Sequence, residues 1–340
     1  MHESHDDTKR VLPGEPPLEA ELIDHVPGYG AGIQAEPPRG PSTPLPPDSG
    51  EGWTEGPNGE RVWGRHGAAG LLLIDRSRGV LLQHRAVWSH HGDTWGIPGG
   101  AIHADESPVA GALREAEEES CVPADAVSPL ASHVLDLGFW QYTTVLGETT
   151  RTVEARPGDE ESAGIAWVRP DHVERLALHP AFGRAWPNLR SLLVARPRIV
   201  IDTANLVGSV PDGWWRDRAG ASEQLIDRIH ELLTEGLPAE LFGLDAARVW
   251  PEVHLVLEGA ACRADRGRDG LVHVHRSPNA GDDHIVKVTE HLIAELRDAG
   301  AGAGHVLVVT SDKELRVRVG ELGAKLAASK GFREAVGFDA

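Results

Sequence analysis

Gly99-Gly100-Ala101-Ile102-His103-Ala104-Asp105-Glu106-Ser107-Pro108-Val109-Ala110-Gly111-Ala112-Leu113-Arg114-Glu115-Ala116-Glu117-Glu118-Glu119-Ser120-Cys121-Val122 decides how the first half of this chain is read. Glu115, Glu118 and Glu119 stand at i, i+3 and i+4, so on a helix they share one face. Like charges stacked in that way destabilise a bare helix, and a hard divalent cation with oxygen ligands is the natural compensation. Just upstream, Trp95-Gly96-Ile97-Pro98-Gly99-Gly100 is a glycine-hinged loop able to bring backbone close to a phosphate.

The stretch resembles the Nudix box, G-x5-E-x7-R-E-U-x-E-E-x-G-U, with U a bulky aliphatic. Gly100, Glu106, Arg114, Glu115, Glu118, Glu119 and Val122 fall on its fixed positions. Ala116 is small where a larger aliphatic is usual, and Cys121 replaces the final glycine. The resemblance implies an α/β/α sandwich with a mixed sheet over about residues 61 to 195. It also implies Mg²⁺ or Mn²⁺ held by Glu115, Glu118 and Glu119 with help from the Gly99 carbonyl, and Arg114 orienting Glu106 and the loop. Gly99, Gly100 and Arg85 would face a nucleotide or nucleoside diphosphate-linked substrate, and Glu160 or Glu161 would be an accessory acid. Metal-activated water would attack phosphorus, with nucleoside triphosphates the default substrates by elimination.

At 340 residues the chain exceeds a usual single domain, and its 40% apolar content suffices for ordinary cores. No apolar run approaches membrane-spanning length, and Met1-His2-Glu3-Ser4-His5 opens no signal-peptide core. The two cysteines, Cys121 and Cys262, make no disulfide framework, and a cytoplasmic protein is expected. The net charge of −19 opposes extended contact with nucleic acid but not metal-bridged contact with phosphates. The acidity is uneven: 29 acidic against 16 basic residues precede Pro197, and 23 against 17 follow.

Residues 1 to 60 are Pro-, Gly- and acid-rich and are expected to be largely disordered, with a short helix over Leu18 to Val26. Ala68 to Ile74 and Gly79 to His84 read as strands joined by the turn Asp75 to Arg78. Further strands are predicted near Ser132 to Leu137, Trp140 to Gly147 and Gly164 to Val168, and helices at His172 to Ala177 and Ala181 to Leu193. From 196 to 340 the pattern changes. Short apolar runs at Ile199 to Asp202, Val253 to Glu258, Leu271 to His275 and His305 to Val309 alternate with helical patterns at Glu223 to Leu233, Asp283 to Arg297 and Glu314 to Ala327. Such alternation predicts a parallel sheet covered on both faces, a second α/β domain.

The first, second and fourth of these runs end in polar groups, Asp202-Thr203-Ala204-Asn205, Glu258-Gly259 and Thr310-Ser311-Asp312; the third, Leu271 to His275, is followed by Gly281-Asp282-Asp283, where a helix begins. In open parallel α/β sheets ligands bind at the carboxyl ends of strands, so these acids can converge and hold Mg²⁺ or Mn²⁺. Asp282 and Asp312 also suit plain helix N-caps. The series is similar to the NYN branch of PIN-like nucleases, including YacP-like proteins. That resemblance implies a PIN-like, Rossmann-like domain over 196–340, with Asp202, Asp282 and Asp312 as metal ligands and Asn205 beside the RNA. Thr203-Ala204 stands where Gly-Tyr is frequent in that family.

His90 and His91 precede the box loop and invite a phosphate contact, Arg263, Arg266 and Arg268 an RNA contact, and Trp214-Trp215 base stacking; a solvated loop for the first two groups and local packing for the tryptophans are the default readings. The function expected is a metal-dependent Nudix hydrolase with a second, NYN-like ribonuclease site. The alternatives are an RNA-processing nuclease whose first half recognises or trims a 5′ phosphate, and a nucleotide-binding regulatory module.

Overall fold

The run Ala68 to Ile74 is apolar without alternation, which requires a strand covered on both faces. The computed structural model describes residues 22–23, 49–210, 213–266, 270–277, 280–300 and 305–338. Its first half contains β1 (Leu22–Ile23), β2 (Trp53–Glu55), β3 (Arg61–Trp63), β4 (Ala68–Asp75), β5 (Gly79–Arg85), β6 (Trp95–Gly96), β7 (Gly99–Ala101), α1 (Pro108–Ser120), β8 (Val127–Asp136), β9 (Gln141–Thr149), β10 (Ser162–Val168) and α2 (Pro180–Val194). β4 runs parallel to β9 and antiparallel to β5 and β7, so the sheet is mixed. Leu71, Leu73 and Ile165 face α1 through Ala112, Ala116 and Val122. On the other face Leu72, Ile74 and Leu82 join Phe182, Trp186 and Leu189 of α2.

The second half adds β11 (Arg198–Asp202), α3 (Thr203–Val207), α4 (Arg218–Glu235), β12 (Leu237–Pro238), β13 (Arg248–Val249), β14 (Glu252–Glu258), β15 (Val272–Ser277), α5 (Gly281–Asp298), β16 (Val306–Val309), α6 (Lys313–Glu321), β17 (Lys325–Ala327) and α7 (Ser329–Ala335). Five strands form one sheet in the order β15-β14-β11-β16-β17, every neighbouring pair parallel. Chain order reverses between β11 and β16. That is the switch point where such sheets open a crevice.

Several expectations need correction. The boundary at residue 60 cuts a hairpin: Trp53 pairs with Trp63 and Glu55 with Arg61. Leu22 and Ile23 pair as a strand with Ala166 and Ile165 instead of forming a helix, and the rest of the Leu18 to Val26 expectation lies outside the described residues. The predicted helix at His172 to Ala177 is a 3₁₀ turn at Val173–Arg175. The helix over Glu314 to Ala327 stops at Glu321; Gly323 takes φ 96° and turns the chain into β17 beside β16. Nor is the first sheet confined to residues before 196. Arg248 and Val249 pair with Ser132 and Ala131 of β8, and β12 extends the sheet by one more strand. One apolar cluster accordingly joins Trp186 and Leu189 to Ile199, Leu225, Phe242 and Phe332. Among the described residues no helix is long and apolar enough to cross a membrane.

Candidate active sites

The box folds as a strand, a turn and a capped helix. Ser107 accepts a hydrogen bond from the Ala110 N–H at 3.2 Å and Pro108 occupies the first turn, so α1 starts where its sequence allows. Glu115 and Glu119 point inward and Glu118 outward; Glu119 is 6% exposed. The Gly99 N–H donates to Glu119 Oε2 at 2.7 Å, tying the loop to the helix. Gly100 lies equally close to α1: a Cβ there would sit 2.5 Å from Glu115 Oε2 and displace that carboxylate.

Arg114 organises the rest. Its Nε and Nη2 donate to the two Glu106 oxygens at 3.0 Å each, Nη1 to Glu115 Oε1 at 2.7 Å, and Nη2 to the Ala101 carbonyl at 2.8 Å. A planar five-donor fork can hold two carboxylates and a carbonyl at once, which a lysine cannot. Burial opposes the charge on Glu106, yet Arg114 and the His103 N–H outweigh it and hold its carboxyl below the usual range. Arg114 thereby ties Glu106 and the Ala101 carbonyl to α1.

Burial pushes Glu115 up to about 7 and Glu119 up to about 8 from an ordinary 4.5. Such groups stay protonated in the folded protein between pH 4.5 and about 8, where an unfolded chain has already released those protons. Their contribution to stability is therefore complete below about pH 4.5 and is lost as pH rises through 7 to 8. In EDTA the Tm is expected to fall across that window, and Mg²⁺ at pH 8 to restore it. A Tm that is flat with pH and indifferent to Mg²⁺ would contradict the electrostatics.

Cys121 closes α1 in the left-handed region, φ 54° and ψ 33°, its N–H reaching the Ala116 and Glu117 carbonyls. A side chain there is strained by about 1–2 kcal/mol, and glycine relieves the strain at an unfolded-state cost of somewhat less. Cys121→Gly is thus expected to stabilise by about 0.5–1 kcal/mol, read as a denaturant midpoint shift at constant m-value.

Around the glutamates stand residues from other elements. Arg85, at the end of β5, lies within electrostatic reach of Glu119 and Glu161, and its Nε donates to the His90 carbonyl at 3.1 Å. Desolvation and the Asp159 charge raise the Glu161 carboxyl above its ordinary range, although Glu161, like Glu160, reaches the surface. Asp159, absent from the sequence expectations, bears on Glu119 directly and accepts from the Glu161 N–H at 3.0 Å. The loop carrying it packs hard on α1: Gly158 N–H donates to the Glu119 carbonyl at 2.9 Å. His90 and His91 are exposed, with Trp53 and His179 as ring neighbours.

At the second sheet's switch point Asp202 is 8% exposed. Its Oδ1 accepts from the Asn205 N–H at 3.0 Å and its Oδ2 from Thr310 Oγ1 at 2.8 Å. Burial first, then the charges of Asp282 and Glu258, raise its carboxyl; Asp282 is raised by burial and by Asp312 and Glu258. The structure therefore brings Asp202, Glu258, Asp282 and Asp312 into one electrostatic neighbourhood. Asn205 borders it, accepting from the Ser311 N–H at 3.0 Å and Ser329 Oγ at 2.9 Å. The cap expectation holds for Asp312, which caps α6 at the Leu315 N–H, and not for Asp282, which follows Gly281 inside α5. Arg266 is paired with Asp227 at 3.1 Å, and Arg268 lies outside the described residues. Trp214 and Trp215 meet edge to face, with the Arg218 guanidinium 5.2 Å over Trp214.

Residues 64–189 match the NUDIX domain family. The chain is 42% identical over 152 residues to a Mycobacterium tuberculosis protein named putative 8-oxo-dGTP diphosphatase 3, spanning 42% of this chain and 70% of that one. It is 40% identical over 162 residues to a Bifidobacterium longum nucleoside triphosphate pyrophosphatase/Nudix hydrolase fusion protein, 44% of this chain and 34% of that one. A solved Nudix hydrolase of M. smegmatis, RenU, shares 41% identity over 44% of this chain and 98% of its own, with a TM-score of 0.41.

Proposed function

The chain belongs to the Nudix family, and from that premise we propose that its first half cleaves nucleoside triphosphates at an internal phosphoanhydride bond. The observation that carries the reading is the buried Glu119 carboxylate beside the half-buried Glu115, facing a loop whose Gly99 lies so close to the Ala69 and Gly70 backbone that a Cβ would sit 2.5 Å from it. Two desolvated carboxylates with all-oxygen donors fit a hard divalent cation. Mg²⁺ or Mn²⁺ held by Glu115, Glu118 and Glu119 would neutralise the polyphosphate and make water a stronger nucleophile. The Gly99 N–H holds Glu119, and Arg114 holds Glu106 and Glu115, so the helix face keeps one register against the loop. Arg85 takes a phosphate oxygen. Glu161, its carboxyl raised by desolvation and by Asp159 beside it, accepts the proton from the attacking water. The name of the M. tuberculosis relative supports a purine nucleoside triphosphate, oxidised guanine among the candidates. A panel of ordinary and oxidised nucleoside triphosphates with Mg²⁺ tests this: a kcat/KM preference among triphosphates supports the reading, and turnover confined to dinucleotides or nucleotide sugars overturns it.

A second reading concerns the parallel sheet. The convergence of Asp202, Glu258, Asp282 and Asp312 at the switch point favours a metal-dependent phosphodiesterase of the NYN/PIN-like kind acting on RNA.

A further inference from the structure

Beneath α5, away from the carboxyl ends of the strands, the parallel sheet carries a polar stripe that neither reading uses. His254 of β14 pairs with Val200 of β11 on one side and His273 of β15 on the other. Its side chain is 7% exposed, and its Nδ1 is 3.0 Å from His275 Nε2. Its Nε2 is buried and has no hydrogen-bond partner. A buried imidazole nitrogen without a partner is costly, and native structures seldom keep one without a compensating ligand. What faces it is another set of ligand atoms. Glu252 Oε2 lies 3.9 Å from His254 Nε2, the His273 ring stacks on His254 with centroids 4.7 Å apart, and the ligand atoms of Glu252, His254 and His273 all lie within 4.8 Å of one another.

We propose that Glu252, His254 and His273 form a transition-metal site, Zn²⁺ being the ion that fits, which pins edge strand β15 to β14. Bonds of about 2.0–2.2 Å space tetrahedral ligands about 3.3–3.6 Å apart, so the three atoms need to close by about 1 Å. Glu252 and His273 are half-buried and can turn inward, whereas His254 is held by His275. When Nδ1 of His254 donates to His275, Nε2 keeps its lone pair for the metal, the arrangement of a ligand imidazole oriented by a second group. Arg198 Nε engages the same Glu252 Oε2 at 3.1 Å and so holds the carboxylate beside the two imidazoles. Two imidazoles and one carboxylate suit Zn²⁺ and not Mg²⁺, in contrast to the all-oxygen set of the glutamate helix. A cleft of about 200 Å³ between the two sheets, lined by Glu252, Arg198, Trp250 and Leu271, gives an approach.

The test uses EDTA-stripped full-length protein in millimolar Mg²⁺, which occupies carboxylate-only sites, titrated with Zn²⁺ against a chromophoric chelator. One Zn²⁺ per chain is expected to bind tightly and raise the Tm, and Co²⁺ to give the strong visible absorption of a tetrahedral site. His273→Ala and Glu252→Gln, both at half-buried positions that should tolerate the change, are each expected to weaken that step about 100-fold. His91→Ala, which alters the group of exposed His90 and His91 with half-buried His179, is expected to leave it unchanged. No tight Zn²⁺ step, or one that survives both substitutions, overturns the proposal; so does a step lost in His91→Ala.

Discussion

Glu119→Gln is expected to lower nucleotide hydrolysis by about two to four orders of magnitude while the protein remains folded. The isosteric amide can still accept the Gly99 N–H bond through its carbonyl, so the loop keeps its tie to α1. What is lost is one anionic oxygen in a desolvated pocket, and metal assistance to phosphoryl chemistry is worth several kcal/mol. Glu118→Gln should act in the same direction. Its side chain is 58% exposed and it contributes little to the fold, so any loss it causes reports on chemistry. Steady-state kinetics with Mg²⁺ held constant, alongside circular dichroism, checks both. Near-wild-type turnover in the two variants would remove the glutamate face from the mechanism.

The other large effect is expected at the second sheet. Asp312→Asn should reduce RNA cleavage by about two to four orders of magnitude and leave nucleotide hydrolysis unchanged. Asparagine caps helices about as well as aspartate, so the Leu315 N–H keeps its partner and α6 its start. Asp202→Asn preserves the Asn205 N–H bond by the same argument and should act alike. With a net charge of −19, binding to RNA should need millimolar Mg²⁺ or Mn²⁺ and weaken steeply with salt. A gel assay on single-stranded RNA reads both. Cleavage that persists in Asp202→Asn and Asp312→Asn would leave the parallel sheet without a nuclease site.

The glutamate helix was legible because helical spacing alone places Glu115, Glu118 and Glu119 together, and because Gly99 lies too close to the Ala69 and Gly70 backbone for a Cβ. The parallel sheet was legible from its apolar runs, and Asp202 from its place at a strand end. Local pattern carried less where long-range pairing decides. β12 and β13 are two residues each, too short for any periodicity, and exist because Ser132 and Ala131 offer an edge. β17 is partly exposed and follows directly on a helical pattern, so Lys325 to Ala327 was read as its continuation. The hairpin at Trp53–Glu55 and Arg61–Trp63 was hidden by the proline and glycine around it. Asp159 lies on a loop held by Gly158, and the Glu252, His254 and His273 group is assembled across two strands. No spacing rule along one strand reveals a ligand set drawn from two.

The most direct test of the central claim is product identity in a single turnover. Full-length protein in excess over a nucleoside triphosphate with Mg²⁺ is quenched and its products are separated. The account predicts nucleoside monophosphate and pyrophosphate in equal amounts, formed by the wild type and not by Glu119→Gln. Nucleoside diphosphate with orthophosphate, or the same products at the same rate from Glu119→Gln, would contradict it.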